Sequence, residues 1–260
     1  MRMNGTVYSQ ILGIDTGISV VTPNYLDSEK PYRIAYLLHG LYANHQMWTD
    51  YTLLPHYAEE GNTIYIMPDM GRSFYTDMKY GGRYYTYLTE ELPEICRHLF
   101  RISSSRENTI IMGGSMGGFG ALKCALNKPE QYGICCAFSS GFLFFNELLT
   151  EIKLHGMSQE YKTHFGPQME QDFTLIFGET LELLPENDLL ALASKAAGSG
   201  LFPDLYLTCG TEDILYPDHL SFTQELSNRQ IPYAFESWKG GHDYEYFSQA
   251  LQKAITRFHL

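Results

Sequence analysis

A serine flanked by glycines is the residue of this chain best suited to covalent chemistry. Ser115 stands in the run Gly-Gly-Ser-Met-Gly over residues 113–117, after a short β-branched run and before a helix-forming one. That order predicts a strand-to-helix turn that presents one serine hydroxyl, as in the nucleophile elbow of acyl-transfer enzymes. Because so short a pattern also arises by chance, the other reacting groups must be found elsewhere in the chain.

A serine hydroxyl is a weak nucleophile, so it needs an imidazole to take its proton and a carboxylate to orient that imidazole. Behind an elbow the carboxylate precedes the histidine in the chain. Asp213 follows a predicted strand and a glycine turn, and His242 follows two glycines just past the last predicted strand. The pattern predicts Ser115 as nucleophile, His242 as base and Asp213 as orienting acid, with Glu212 and Asp218 as weaker candidates for the acid.

Two backbone amides are needed to stabilise the oxyanion of the tetrahedral intermediate. The amide of Met116 is expected at the start of the helix behind the serine. The second donor normally comes from a loop after an earlier strand. Leu41 fits because the apolar run Ile34–Leu38 ends at His39-Gly40, and Gly40 frees the backbone to turn the Leu41 amide into the site. His39 is expected to hold this loop in place.

The elements that carry these residues alternate between apolar runs and helical patterns. This alternation predicts an α/β protein with a mainly parallel, eight-stranded sheet and helices on both faces. The first two strands are expected to form an antiparallel hairpin joined at residues 15–17, and Pro93 implies either a kink or a later helix start. The predicted strands are Val7–Ile14, Ile18–Thr22, Ile34–Leu38, Thr63–Met67, Thr109–Met112, Ile134–Phe138, Leu205–Thr208 and Tyr233–Glu236. The helix after Ser115 should end near Asn127, and the last helix carries an apolar stripe from Tyr244 to Phe258.

More than sixty residues separate the strand ending at Phe138 from the one starting at Leu205, far more than a crossover needs. We interpret residues 142–200 as a small helical cap inserted into one domain spanning residues 1–260. The cap is expected over the carboxyl ends of the strands, where α/β sheets bind ligands. Five aromatic residues are predicted to form an apolar wall for the acyl group, although packing in the core is the alternative: Trp48, Tyr75, Phe142, Phe144 and Phe145.

The composition of the chain limits the kinds of molecule that it is expected to bind. The formal net charge is −12 and no basic stripe occurs, which argues against nucleic acid and anionic membranes. No run of about 18 apolar residues occurs and the first ten residues lack an apolar signal core, so a cytoplasmic protein is expected. Five cysteines show no ligand spacing, no His-Glu-x-x-His occurs, and Phe119 stands where a phosphate-binding loop requires lysine. We therefore expect no metal and no cofactor.

Taken together, the motifs resemble the esterase D and tributyrin esterase family of α/β-hydrolases, which is related to acetylesterases and feruloyl esterases. The resemblance runs through most of the chain. Its specific pieces are Leu38–Leu41 with Asn44 and Trp48, Met67–Asp69, Ser73–Asp77, Tyr84-Tyr85, Glu91–Pro93, Gly113–Ala121, Cys209–Asp213 and Gly241–Asp243.

The resemblance implies an α/β-hydrolase fold in which Ser115, His242 and Asp213 form the triad and the amides of Leu41 and Met116 form the oxyanion hole. It also implies a serine carboxylesterase acting on short-chain or aromatic esters, and an acylated carbohydrate is one candidate substrate. The tract Ser73–Asp77 is more similar to the tributyrin and feruloyl branch than to the formylglutathione branch. A thioesterase of the S-formylglutathione hydrolase type, an acyltransferase and a non-catalytic binding protein stay open as alternatives, as does assembly into a homo-oligomer.

Overall fold

Eight strands form one sheet in the computed structural model, which describes residues 1–24, 31–59, 61–103 and 105–260. Strands β3 to β8 run parallel to one another, and β1 and β2 form an antiparallel hairpin that pairs with β4 at one edge. The strands are β1 (Arg2–Ser9), β2 (Ile14–Val21), β3 (Arg33–Leu38), β4 (Thr63–Pro68), β5 (Thr109–Gly114), β6 (Ile134–Phe138), β7 (Asp204–Gly210) and β8 (Ala234–Trp238). The predicted mainly parallel sheet is confirmed.

The order of strands across the sheet is β1-β2-β4-β3-β5-β6-β7-β8. After β3 the chain moves outward to β4, and it then returns past β3 to continue with β5 on the other side. Strands β3 and β5 are therefore neighbours whose connections leave in opposite directions. Such a reversal opens a crevice at the carboxyl ends of the two strands, where open α/β sheets bind their ligands.

Helices cover both faces of the sheet. They are α1 (Met47–Tyr51), α2 (Leu54–Tyr57), α3 (Tyr84–Thr86), α4 (Leu92–Leu99), α5 (Met116–Asn127), α6 (Phe145–His155), α7 (Gln159–Phe165), α8 (Gln168–Phe177), α9 (Leu189–Gly198), α10 (Tyr216–Asn228) and α11 (Tyr244–Phe258). One buried cluster joins the sheet to α5, α9 and α10, and a second joins the opposite face to α1, α2 and α11. Helix α5 ends at Asn127 as predicted. Four residues of the predicted α11 stripe are buried, namely Phe247, Leu251, Ala254 and Ile255, whereas Tyr244 at its start is exposed.

Pro93 lies within a continuous helical segment that contains a π-helical turn, so neither a kink nor a later helix start describes it fully. Helix α3, a π-helical turn over Tyr87–Glu91 and α4 follow one another without a gap, and the Leu92 N–H donates to the Tyr87 carbonyl five residues earlier. Prolines and π-helical turns are both sites where the regular hydrogen bonding of an α-helix is interrupted, and here they are adjacent.

The predicted hairpin turn at residues 15–17 is wrong. Strand β2 already begins at Ile14, which pairs with Ser9, so the turn lies at residues 10–13. Glu91 from the π-helical turn holds it, because its carboxylate accepts hydrogen bonds from the Ser9 hydroxyl and from the Gln10 amide at 2.7 Å. Gly13 closes the turn with φ +71°. The controlling contact comes from about eighty residues away.

The long connection between β6 and β7 holds the four helices α6 to α9. It lies beside the carboxyl end of the sheet, because Phe142 at its start and Phe165 at the end of α7 line a cavity together with Ser115. Within the described parts of the chain, no helix combines the length and apolar character needed to cross a membrane.

Candidate active site

Ser115 occupies a sharp turn between β5 and α5. Its backbone angles, φ 57° and ψ −123°, lie in a region that non-glycine residues adopt only where the surrounding structure enforces it. Glycine permits the close packing around the turn: a Cβ on Gly113 would lie 2.4 Å from the Gly117 carbonyl oxygen, and a Cβ on Gly117 would lie 2.3 Å from that of Leu38. Met116 begins α5, so its N–H has no acceptor within the helix.

Ser115, His242 and Asp213 form a continuous hydrogen-bonded series. His242 Nε2 lies 2.9 Å from Ser115 Oγ, and His242 Nδ1 lies 2.8 Å from Asp213 Oδ2. An ionised carboxylate only accepts hydrogen bonds, so Nδ1 donates to Asp213 and Nε2 is left to accept from the serine hydroxyl. In this arrangement the imidazole can remove the serine proton.

Asp213 is held as a carboxylate despite its burial. Its side chain has no exposed surface, and burial by itself raises the pKa of a carboxyl group. The hydrogen bond and charge of His242, together with the Leu215 amide that donates to Oδ1 at 2.9 Å, outweigh burial and lower the pKa of Asp213 below its ordinary value. The group is therefore ionised at neutral pH and can stabilise an imidazolium on His242.

The loop after β3 lies against the serine and is held by His39. A Cβ on Gly40 would lie 3.5 Å from the Ser115 Cβ. His39 Nε2 accepts from the Met70 amide at 2.9 Å, so the ring proton is on Nδ1, which donates to the Gly40 carbonyl at 2.8 Å. That carbonyl shares its peptide unit with the N–H of Leu41, and a planar trans peptide directs the two groups in opposite directions. His39 thereby sets the direction in which the Leu41 amide points.

A second constraint on this loop comes from Tyr75. Its hydroxyl donates to the His39 carbonyl at 2.7 Å, and its ring packs on α5 where a Cβ at Gly120 would lie 2.4 Å away. Burial lowers the pKa of His39, so its ring is neutral at pH 7 and keeps a single N–H, on Nδ1. The loop is thus anchored on both sides of the Leu41 amide.

Two apolar cavities meet at Ser115 and His242. The larger, about 280 Å³, is lined by Gly40, Leu41, Tyr42, Ala43, Met47, Ser115, His242, Asp243, Tyr244 and Phe247. The smaller, about 130 Å³, is lined by Leu41, Tyr42, Ser115, Phe142, Phe165, Ile214, Leu215 and His242. A cavity of about 590 Å³ lies at the amino ends of β7 and β8, and one of about 410 Å³ lies between α6 and α8; neither is lined by Ser115, His242 or Asp213. A substrate carbonyl at Ser115 would therefore have room on both sides.

Most of the predicted aromatic wall lies elsewhere. Phe142 does line the smaller cavity, with a backbone φ of +60°. Trp48, Tyr75 and Phe145 are buried with at most 1% of their surface exposed, and none lines either cavity, so the prediction is wrong for these three. Phe144 is half-buried and packs against Phe222 of α10 instead.

The three buried side chains pack in the protein interior instead of facing a cavity. The Trp48 indole donates to the Leu38 carbonyl at 3.0 Å and packs edge-on against Phe138 and Phe247. Phe145 lies in a cluster of rings with Phe74, whose centroid is 5.3 Å away. Large aromatic rings bury more apolar area inside such clusters than they could against a small cavity, which favours core packing.

Helices α7 and α8 are joined to the loops around Ser115. The Tyr42 hydroxyl donates to the Phe165 carbonyl at the end of α7. Arg72 donates to Asp172 of α8 at 2.5 and 2.9 Å, and its guanidinium lies over the Tyr42 ring. Asp172 is nearly fully buried, and a buried carboxylate requires such a partner. These contacts fix α7 and α8 relative to the loop that carries Leu41.

Several cavity residues are absent from the sequence-based expectations. Tyr42, Ile214 and Tyr244 line the cavities. Each lies within two residues of a predicted site residue in the sequence, so this closeness could have been used to predict them. Phe165 is the last residue of α7, and no sequence pattern marks it. The described residues contain no group of three or more His, Cys, Asp or Glu side chains placed to hold a metal ion.

The chain matches the model of a protein family and is similar to a known esterase. The Esterase family model matches residues 9–258. The chain is 27% identical over 260 residues to an acetyl esterase from Caldicellulosiruptor saccharolyticus, covering 95% of this chain and 94% of that protein.

Two solved structures are also similar. One is FphF, a fluorophosphonate-binding serine hydrolase of Staphylococcus aureus, with 29% identity and a TM-score of 0.83 over 99% of this chain and 98% of that one. The other is the S-formylglutathione hydrolase FrmB of Staphylococcus aureus, with 29% identity and a TM-score of 0.81 over the same shares.

Proposed function

Because this chain belongs to the Esterase family and is a serine carboxylesterase, we propose that it hydrolyses short-chain esters of neutral alcohols through an acyl-enzyme on Ser115. The observation that carries this proposal is the hydrogen-bonded series from Ser115 through His242 to Asp213. The resemblance of the chain to an acetyl esterase supports the same class of acyl group.

In the proposed mechanism Ser115 Oγ attacks the ester carbonyl while His242 Nε2 takes the serine proton. The carbonyl oxygen becomes an oxyanion, which the amides of Leu41 and Met116 stabilise. His242 then gives its proton to the leaving alcohol oxygen, and the carbon–oxygen bond to the alcohol breaks. A water molecule then gives a proton to His242 and attacks the acyl carbon. The bond from that carbon to Ser115 Oγ breaks, His242 returns the proton to Oγ, and the carboxylic acid leaves.

The smaller cavity is assigned to the acyl group because it is apolar and, at about 130 Å³, has less than half the volume of the larger cavity, which is about 280 Å³. We therefore place a short acyl chain, such as acetyl, in it. Phe142 and Phe165, both from the cap region at residues 142–200, close it. We propose that the cap acts as the determinant of acyl length.

The larger cavity is assigned to the leaving group. Apart from His242, the one charged side chain among its described lining residues is the carboxylate of Asp243. Glutathione carries two carboxylates and would meet no cation there, so an oxygen ester of a neutral alcohol is favoured over S-formylglutathione. The thioesterase stays a second candidate because the chain resembles FrmB, and comparing turnover of S-formylglutathione with that of ethyl acetate separates the two.

A non-catalytic binding protein would not need to keep the nucleophile, base and acid in hydrogen-bond contact. The described site retains all three together with a constrained loop at Leu41, which supports a catalytic role.

The five cysteines are all buried free thiols, as expected in a reducing compartment. A cytoplasmic location stays a prediction.

The proposal is tested by Ser115→Ala and Asp213→Asn with ethyl acetate as substrate. Ser115→Ala should reduce kcat by several orders of magnitude and abolish labelling by a fluorophosphonate. Asp213→Asn should reduce kcat by about ten-thousand-fold, because it favours the wrong tautomer of the imidazole. A Ser115→Ala protein that hydrolyses ethyl acetate at the parent rate would refute the assignment of the nucleophile.

A further inference from the structure

The tract over residues 73–77, between β4 and α3, is held in a strained conformation. Phe74 and Tyr75 have backbone φ angles of +48° and +54°, and both side chains are fully buried. Two successive non-glycine residues adopt such angles only where the surrounding structure enforces them. The conformation directs the Tyr75 hydroxyl to the His39 carbonyl, to which it donates at 2.7 Å. Contacts that hold this tract therefore also act on the loop after β3.

Hydrogen bonds at the end of the tract join it to α3. The Thr76 hydroxyl donates to the Phe74 carbonyl at 3.1 Å. The Asp77 carboxylate accepts from the amide and from the hydroxyl of Thr86, at 2.9 and 2.6 Å. Both contacts are local in the sequence, and neither reaches α5, the helix that follows Ser115.

Lys123 makes the contact with the tract from α5. Its side chain is fully buried, and its Nζ donates to Thr76 Oγ1 at 2.9 Å and lies 5.1 Å from the centre of the Tyr85 ring. Lysine is rarely fully buried, because an ammonium group loses its hydration in the interior. A methionine would fill the same space without that cost, so the position favours a role for the ammonium group itself.

The Lys123 ammonium group stays charged at neutral pH. Burial lowers its pKa from 10.5 to about 8, whereas the carboxylates of Glu186 and Asp77 act in the opposite direction. A hydrogen bond from a charged donor is stronger than one between neutral groups. The bond from Lys123 to Thr76 is therefore a strong anchor for the tract.

We propose that Lys123 is a positioning residue for the oxyanion hole, an inference that rests on the proposed function. Its ammonium group holds Thr76, and the adjacent Tyr75 holds the His39 carbonyl at the start of the loop that supplies the second oxyanion donor. Lys123 also belongs to the helix that begins at Met116, the first donor. The side chain therefore fixes the two donors relative to each other.

The first experiment measures kcat and KM for ethyl acetate in Lys123→Met, which fills the space but cannot donate a hydrogen bond. We expect kcat to fall about five- to tenfold, the rate equivalent of about one hydrogen bond. KM should stay within twofold, because the oxyanion forms only after the substrate has bound. The rate of labelling by a fluorophosphonate should fall in parallel. Lys128→Met makes the same change at the end of α5, where Nζ pairs with Glu90 at 3.2 Å, and should leave kcat unchanged.

A double variant separates positioning from a general loss of stability. Tyr75→Phe removes the hydroxyl through which Lys123 is proposed to act. Adding Lys123→Met to Tyr75→Phe should then cause no further loss of kcat. If Lys123 only stabilised the core, the two losses would multiply. Thermal denaturation checks that each variant folds.

Folded Lys123→Met protein with kcat within twofold of the parent would overturn the proposal, as would multiplied losses in the double variant. A rise in KM at unchanged kcat would overturn it in favour of a contact with the substrate. If Lys123→Met does not fold, Thr76→Val is judged by the same criteria, because it removes the acceptor and keeps the shape of the side chain. Failure of the proposed function is recognised separately, because the parent protein would then take up the fluorophosphonate without hydrolysing ethyl acetate.

Discussion

Replacing His39 with phenylalanine should slow catalysis although His39 touches no reacting atom. The substitution removes the Nδ1–H that donates to the Gly40 carbonyl at 2.8 Å, and with it the main constraint on the peptide unit that carries the Leu41 amide. The Ala43 amide, which donates to the same carbonyl at 3.2 Å, stays as a weaker constraint. We therefore expect partial loss of one oxyanion donor.

The size of the effect follows from two limits. Loss of one intramolecular hydrogen bond costs about 1 kcal/mol, and complete loss of an oxyanion donor costs about 3 kcal/mol or more. Between about 1 and 3 kcal/mol of activation free energy, kcat falls by about 5- to 150-fold. KM should change much less, because the donated hydrogen bond strengthens as charge develops in the transition state.

Steady-state kinetics on ethyl acetate measure the effect, with thermal denaturation as the check on folding. His39→Asn is the matched control, because its side-chain amide lies near the position of Nδ1 and should restore most of kcat. His39→Gln places its amide nearer Nε2, toward the Met70 amide, and should not restore kcat. Folded His39→Phe protein with kcat within twofold of the parent would refute this account of the oxyanion loop, as would equal activity in the Asn and Gln variants.

Two further predictions concern acyl length and acid stability. Phe142→Gly removes a wall of the smaller cavity and relieves a backbone φ of +60°. The kcat/KM for octanoate esters relative to acetate esters should rise about tenfold or more, because each buried methylene contributes about 0.8 kcal/mol. An unchanged chain-length profile would contradict the assignment of the acyl group to the smaller cavity. His219 is fully buried on α10, and burial lowers its pKa from 6.5 to about 4. The unfolded chain therefore binds this proton first as the pH falls below 6.5, and stability present at pH 7 is lost toward pH 4. His219→Phe should reduce the loss of unfolding free energy between pH 7 and pH 4.5 by about 2 kcal/mol in urea titrations. Identical losses in the two proteins would show that His219 is not held neutral in the fold.

The order of the elements and the positions of the reactive groups could be predicted from the chain because the signals are local. Alternating apolar runs and helical periodicity predict a mainly parallel sheet, and the sheet is confirmed. Residues 113–117 predict a strand-to-helix turn because only glycine tolerates the close approach that such a turn imposes. Asp213 and His242 each lie within four residues of the end of a strand. The carboxyl ends of parallel strands meet at one edge of the sheet, so the proximity of both residues to Ser115 follows from topology.

The residues that line the site could not be predicted from the sequence, because they depend on contacts between residues that are far apart in the sequence. Trp48, Tyr75 and Phe145 have the residue types of a substrate wall, yet packing against strands and neighbouring rings buries them. The hairpin turn is set by Glu91, about eighty residues from Ser9. The stack of Tyr51 on Tyr244 joins residues on two helices that share a face of the sheet. Local patterns specify which elements form, whereas side-chain packing between those elements specifies which surfaces a substrate can reach.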